Sequence, residues 1–190
     1  MSMAQHNQIN FCKFISKITY LPILVFIFFL LPAQSSAQQA ELLKSRLASL
    51  EVLGDDYSLR TAGEIKSLYS EIHPTIHLSD WMTHRYGETA PEIVDCDISS
   101  IPLLYNSNAL YANARMLIIH LTQPADLLQQ IDVSRLVGFS GLKYICFLVS
   151  FDSCPGEVDK NGCVPAKVNK MILNSSGRSL QYLTTVEIPE

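Results

Sequence analysis

The stretch from Ala114 to Phe151 constrains this chain most, because it writes a buried sheet plainly. Its three parts are ARMLIIHLTQ, PADLLQQIDVSRLVGFSG and LKYICFLVSF. A strand covered on both faces reads as an unbroken apolar run of roughly four to eight residues. The segment between the two runs is about 20 residues long, far beyond a hairpin turn, and favours a parallel crossover. Pro124 suits the first turn of a crossover helix, with Leu127, Leu128, Ile131 and Leu136 as its inward positions. Strands are therefore predicted near 115–121 and 142–151, around a βαβ unit. A third is predicted over 180–188, where β-branched residues concentrate and Tyr182, Thr184, Val186 and Ile188 alternate with Leu183, Thr185 and Glu187. The fold class expected is α/β or α+β, with a small mixed sheet.

Gly141-Leu-Lys-Tyr144 and Ser179-Leu-Gln-Tyr182 echo one another at the starts of the last two strands. Their spacing exceeds the roughly 20–29 residues of a leucine-rich repeat. The echo is read as two similar edges of one sheet.

Residues ahead of this core carry export signals. Lys13 and Lys17 precede an apolar run from Ile18 to Leu31, and no Asp or Glu occurs before Glu41. The run is shorter than the roughly 20 residues a spanning helix needs, and suits a signal peptide. Ser35 and Ala37 sit at the −3 and −1 positions of a cleavage site after Ala37. Residues 1–37 are thus expected to be a leader and 38–190 a single globular domain, secreted or periplasmic and not membrane-spanning. About 150 residues fit one core. The chain has 14 Lys+Arg and 18 Asp+Glu; removing Lys13 and Lys17 leaves 12 against 18, a formal charge of −6. There is no basic stripe, which argues against nucleic acid as a partner.

Two helices are expected at the start of the domain. Leu43, Leu47 and Leu50 form a helical stripe flanked by Leu42 and Leu53, ended by Gly54. Asp55 to Arg60 reads as a polar connection. Thr61 and Glu64 match a capping box ahead of Ile65, Leu68, Tyr69 and Ile72, and Pro74 stops that helix. Short strands are expected at Thr75–Ser79 and Glu92–Asp95, a turn over Arg85–Pro91, and a helical turn through Ile101–Tyr105 capped by Asp97.

Four cysteines follow the leader, an even number that suits disulfides in an exported domain. Cys154 and Cys163 flank the turn signals Pro155-Gly156 and Asn161-Gly162, so a local bridge closing an Asp152–Lys167 loop is expected. Cys96 with Cys146 is the pairing that remains.

Few residues offer chemistry. His73, His77 and His84, with Asp80 and Glu88 nearby, make the sharpest candidate metal cluster, since imidazoles and a carboxylate suit zinc. Pro74 argues against one helix carrying the first two. Asp95 and Asp97 offer oxygens to a hard cation, but lack the further ligands of a calcium loop; Asp97 is read as a cap. Ser140 does not stand in a nucleophile elbow and is read as part of a turn. His120 is read as a core-edge residue. There is no phosphate-binding glycine loop and no cofactor motif. Trp81, Tyr86, Tyr105 and Tyr111 are read as core packing, or together as a recognition patch. No catalytic residue is assigned. The leading expectation is a non-catalytic binding or structural protein with a protein or cell-surface partner. The alternatives are a metal-dependent hydrolase using the histidines, or an enzyme inhibitor presenting the Cys154–Cys163 loop.

Overall fold

The computed structural model describes residues 38–188; the expected leader, 1–37, and its cleavage after Ala37 lie outside the described residues. The chain opens with a two-residue strand, β1 (Glu41–Leu42), then helices α1 (Leu43–Leu53) and α2 (Asp56–Ser70). A hairpin follows, β2 (Thr75–Ser79) and β3 (Met82–Tyr86), then β4 (Ile93–Asp97). A 3-10 turn at Ile98–Ser100 runs into the one-turn helix α3 (Ile101–Leu104), another turn lies at Ala109–Tyr111, and β5 (Met116–Leu121) comes next. Turns at Pro124–Leu128 and Val133–Arg135 flank the two-residue strand β6 (Ile131–Asp132) ahead of β7 (Tyr144–Val149). Helix α4 (Lys160–Asn169), β8 (Ile172–Leu173) and β9 (Gln181–Val186) finish the described chain.

Seven strands form one sheet in the order β1-β9-β7-β5-β4-β2-β3, and β6 pairs with β8 apart from it. In the large sheet β2 and β3 run antiparallel, and the remaining pairings are parallel. The fold is α/β, as expected, and the parallel pairing of the two central runs is present.

The chain reaches β4 from β2 through the antiparallel edge strand β3, and from β4 it winds as a coil through β5 and β7 to β9. Thr75, Ile93, Met116, Tyr144 and Gln181 stand side by side across five strands. By those numbers the excursion through β3 takes 18 residues and the successive turns of the coil take 23, 28 and 37. The connections pack on one face: Ile98, Ile101, Leu104, Ile131, Val133, Leu136 and Phe139 share a core with Val94, Leu117, Ile119, Ile145 and Phe147. The opposite face is covered at the starts of its strands by the two N-terminal helices, whose Leu43, Leu50, Ala62, Ile65 and Leu68 pack on Ile93, Met116, Tyr144, Cys146 and Leu183.

An ion network fastens α2 to the strand starts. Glu64 takes Arg115 on one oxygen together with Lys143 Nζ at 2.8 Å, and the Tyr144 hydroxyl donates to the other at 3.0 Å. Arg115 also reaches Glu92 at 3.1 Å. Burial pushes the Glu64 carboxyl up, but Lys143, Arg115 and Tyr144 outweigh it and hold the group below its ordinary value.

Several local expectations are corrected. Helix α2 starts six residues before the anticipated capping box, because the Asp55 carboxylate accepts the Tyr57 and Ser58 N–H groups, each at 3.0 Å. Thr61 lies inside the helix and donates to the Tyr57 carbonyl, while Glu64 turns to the sheet instead of capping. Ile72 lies beyond the helix and is exposed. The Arg85–Pro91 turn begins later, since Arg85 and Tyr86 belong to β3. The crossover between β5 and β7 contains 3-10 turns where a helix was expected. Asp126 there accepts the Thr122 and Gln123 N–H groups and closes a tight turn, and Leu128 points to solvent instead of inward. The two Tyr-bearing strand openings are not edges: they are neighbours offset by one residue, Tyr144 opposite Gln181, so their tyrosines face opposite sides of the sheet. Asp152–Lys167 is a loop only in its first half, because α4 begins at Lys160.

Candidate functional site

The β2–β3 hairpin turns through Asp80 and Trp81, whose φ angles are 49° and 66°. Two left-handed residues joining paired strands make the mirror-type hairpin turn that normally takes Asn-Gly or Asp-Gly. Asp tolerates this backbone because its short side chain bonds locally. Trp does not: a left-handed L-residue costs about 1–2 kcal/mol relative to a right-handed one. Here the indole gains little burial in return, since Trp81 is 66 % exposed. The strand that follows is exposed at every position, Tyr86 and Met82 included.

The register carries this surface onto the sheet. His84 pairs with His77, His77 with Asp95, and Asp95 with Ile118; one row further along, Asp97 pairs with His120. Side chains alternate between faces with period two, so His84, His77, Asp95, Asp97 and His120 share the face that α1 and α2 cover only at the strand starts. Tyr86, paired with Thr75, and Met82, paired with Ser79, complete that face on β3.

Asp95 stands between two imidazoles. His77 Nδ1 lies 3.5 Å from Asp95 Oδ2, and His120 Nε2 lies 2.6 Å from Asp95 Oδ1. The shorter contact is a charge contact off the line of a hydrogen bond; among the described residues neither atom has a hydrogen-bond partner, and both are shielded from water. The Asp95 carboxylate holds His120 above its ordinary value against the opposing effect of burial.

The three histidines of the expected metal cluster separate. His77 and His84 face one another across the hairpin, whereas His73 lies in the connection between α2 and β2, 3.1 Å from both the Ser67 hydroxyl and carbonyl and 3.6 Å from Glu92. Among the described residues no group of three or more His, Cys, Asp and Glu is arranged to hold a metal ion. The grouping of Asp95 and His120 with His77 was missed in the sequence. Its signal is the polar residue on alternate positions at the ends of IVDCD and MLIIHL, which becomes a shared row only once the register is known.

The four aromatic residues divide likewise. Tyr111 is buried and stacks on Phe139 with ring centroids 5.1 Å apart, and Tyr105 lies under the Arg135 guanidinium at 4.0 Å while accepting the Asp132 N–H. Both belong to the connection side, and Trp81 and Tyr86 remain on the open hairpin. Ser140 donates to the Ala112 carbonyl and fastens its turn.

Cys154 and Cys163 form the expected bridge. The second pairing is not formed. Cys96 and Cys146 are separate buried thiols on β4 and β7, with β5 between them, and they face the two opposite cores. Burial pushes the Cys146 thiol up to about 12, and raises Cys96 with help from Asp95 and Asp97. Neither suits a nucleophile, which must ionise. Among the described residues no helix is long and apolar enough to cross a membrane. No protein-family model matches the chain, and neither a curated protein nor a solved structure matches it.

Proposed function

We propose that this chain is an exported, non-catalytic binding module, and that its contact surface is the β2–β3 hairpin with the adjoining uncovered rows of the sheet. The observation that carries this reading is Trp81. A bulky aromatic in a left-handed turn position, largely exposed, is stability forgone, and such strain concentrates where a residue serves a partner. Trp and Tyr are also the side chains that dominate protein interfaces. Around them, His84, His77, Asp95 and His120 supply a polar patch over two adjoining rows, suited to orienting a protein partner. The bridge between Cys154 and Cys163 fits an oxidising compartment, in keeping with a cleaved leader.

A photo-crosslinking residue in place of Tyr86 tests the reading. The expected result is one discrete protein adduct in secreted or periplasmic fractions, competed by unlabelled protein and lost when Trp81→Gly is added. An adduct indifferent to Trp81→Gly would sink the proposal. A metal-dependent hydrolase has less support, because His73 is engaged with Ser67 and Glu92. An inhibitor presenting the Cys154–Cys163 segment is also less favoured, since half of that segment is helix α4 rather than an extended loop.

A further inference from the structure

We propose that the cleft between the Pro124–Leu128 turn and α4 binds an amphipathic monocarboxylate, with its chain on the apolar wall and its head group at Lys167 and Lys170. The cleft encloses about 430 Å³, within the range of small-molecule sites, roughly 300–1,000 Å³. It lies just beyond the carboxyl ends of β5 and β7. Pro124, Leu127, Leu128 and Phe151 line it, and so do the two lysines.

Three observations select the ligand class. Leu128 is 83 % exposed. The turn that displaces it from the core sets it at the rim of this cleft, where an apolar chain would cover it. Lys167 and Lys170 are three residues apart at the end of α4, so they share one side of the helix. The Lys167 ammonium is anchored by donating to the Ser153 carbonyl, and an ammonium has three donors, so others remain. Asp152, a carboxylate in the same lining, accepts the Cys154 N–H on Oδ1 at 3.1 Å, and set against two lysines it leaves the lining one net positive charge. A neutral amphiphile would leave that net positive charge unmatched, and a polyanion would leave the apolar wall uncovered. A single carboxylate on an aliphatic chain satisfies both.

Titration calorimetry of the purified protein with sodium hexanoate, octanoate and decanoate below their micellar concentrations tests this site. Affinity is expected to rise by up to about fourfold per methylene. Leu128→Asp, a substitution at an exposed position, is expected to abolish decanoate binding with the thermal transition unchanged. Lys170→Gln is expected to weaken decanoate about tenfold, the scale of one charge-assisted hydrogen bond, and to leave decanol unaffected. Three outcomes would overturn the proposal: no saturable decanoate binding, decanoate binding indifferent to Leu128→Asp, or retention on phosphatidylglycerol vesicles without binding of the free acid. The last would place a membrane headgroup at the lysines instead.

Discussion

His120 reaches across one strand pairing to set its Nε2 2.6 Å from Asp95 Oδ1, diagonally, since its direct partner in register is Asp97. That reach puts an imidazole into a charge contact shielded from water, and gives the sheet face a group whose proton depends on folding.

The pair predicts a pH dependence of definite sign. His120 is raised in the folded protein. Its contribution is therefore fully present below the ordinary histidine value, about 6.5, and is lost as pH rises through the folded value. Urea denaturation from pH 5.5 to 9 is expected to show His120→Gln about 1 kcal/mol less stable than the parent at the acid end, with the gap closing toward the alkaline end. A gap that widens with pH would show the attribution to be wrong.

Glu64 behaves oppositely. Its carboxyl is held low by Lys143, Arg115 and Tyr144, so its contribution is present above the unfolded carboxyl value and fades as pH falls through the folded one. Glu64→Gln leaves the half-buried Arg115 guanidinium and the exposed Lys143 ammonium short of a counter-charge, and is expected to lower stability by about 2 kcal/mol at pH 7. A loss below about 0.5 kcal/mol would mean that solvent screens the network as it does an ordinary surface pair.

Cysteine chemistry gives a third expectation. Reducing the bridge, which joins residues nine apart, should lower stability by about 2–3 kcal/mol by the loop-closure relation. Cys96 and Cys146 should resist iodoacetamide in the folded protein and alkylate on unfolding, as peptide mapping would read. Rapid labelling of either under native conditions would contradict their burial.

At the hairpin tip, Trp81→Gly is expected to raise stability by about 1 kcal/mol, since glycine takes the left-handed backbone without strain. If the hairpin is the contact surface, the same substitution loses partner capture while the protein becomes harder to unfold. A destabilised variant would mean that the indole contributes packing after all.

The centre of the fold was legible because a strand buried on both faces needs no partner information to be recognised: MLIIHL and YICFLV declare themselves. The hairpin strand β3 was not, because MTHRY is exposed throughout and follows no alternation of apolar and polar residues. The crossover misled because PADLLQQI has helical spacing, while Asp126 and the Pro124 turn bind the backbone locally before a helix can propagate. The Asp95–His120 contact was out of reach for another reason. It depends on the register between two strands, and the length of the intervening segment does not fix that register. The same gap made Cys96 and Cys146 resemble a pair, when the pleat sends them to opposite cores.

The unequal turns of the coil have a consequence for how such a chain can vary. Each turn takes up its additional residues on the connection side, while the strands keep step at about 4.8 Å intervals. Insertions and deletions in the connections can therefore accumulate without shifting His77, Asp95 or His120 relative to one another. The side chains of the open face can therefore be exchanged one at a time while the rest of the molecule grows or shrinks behind them.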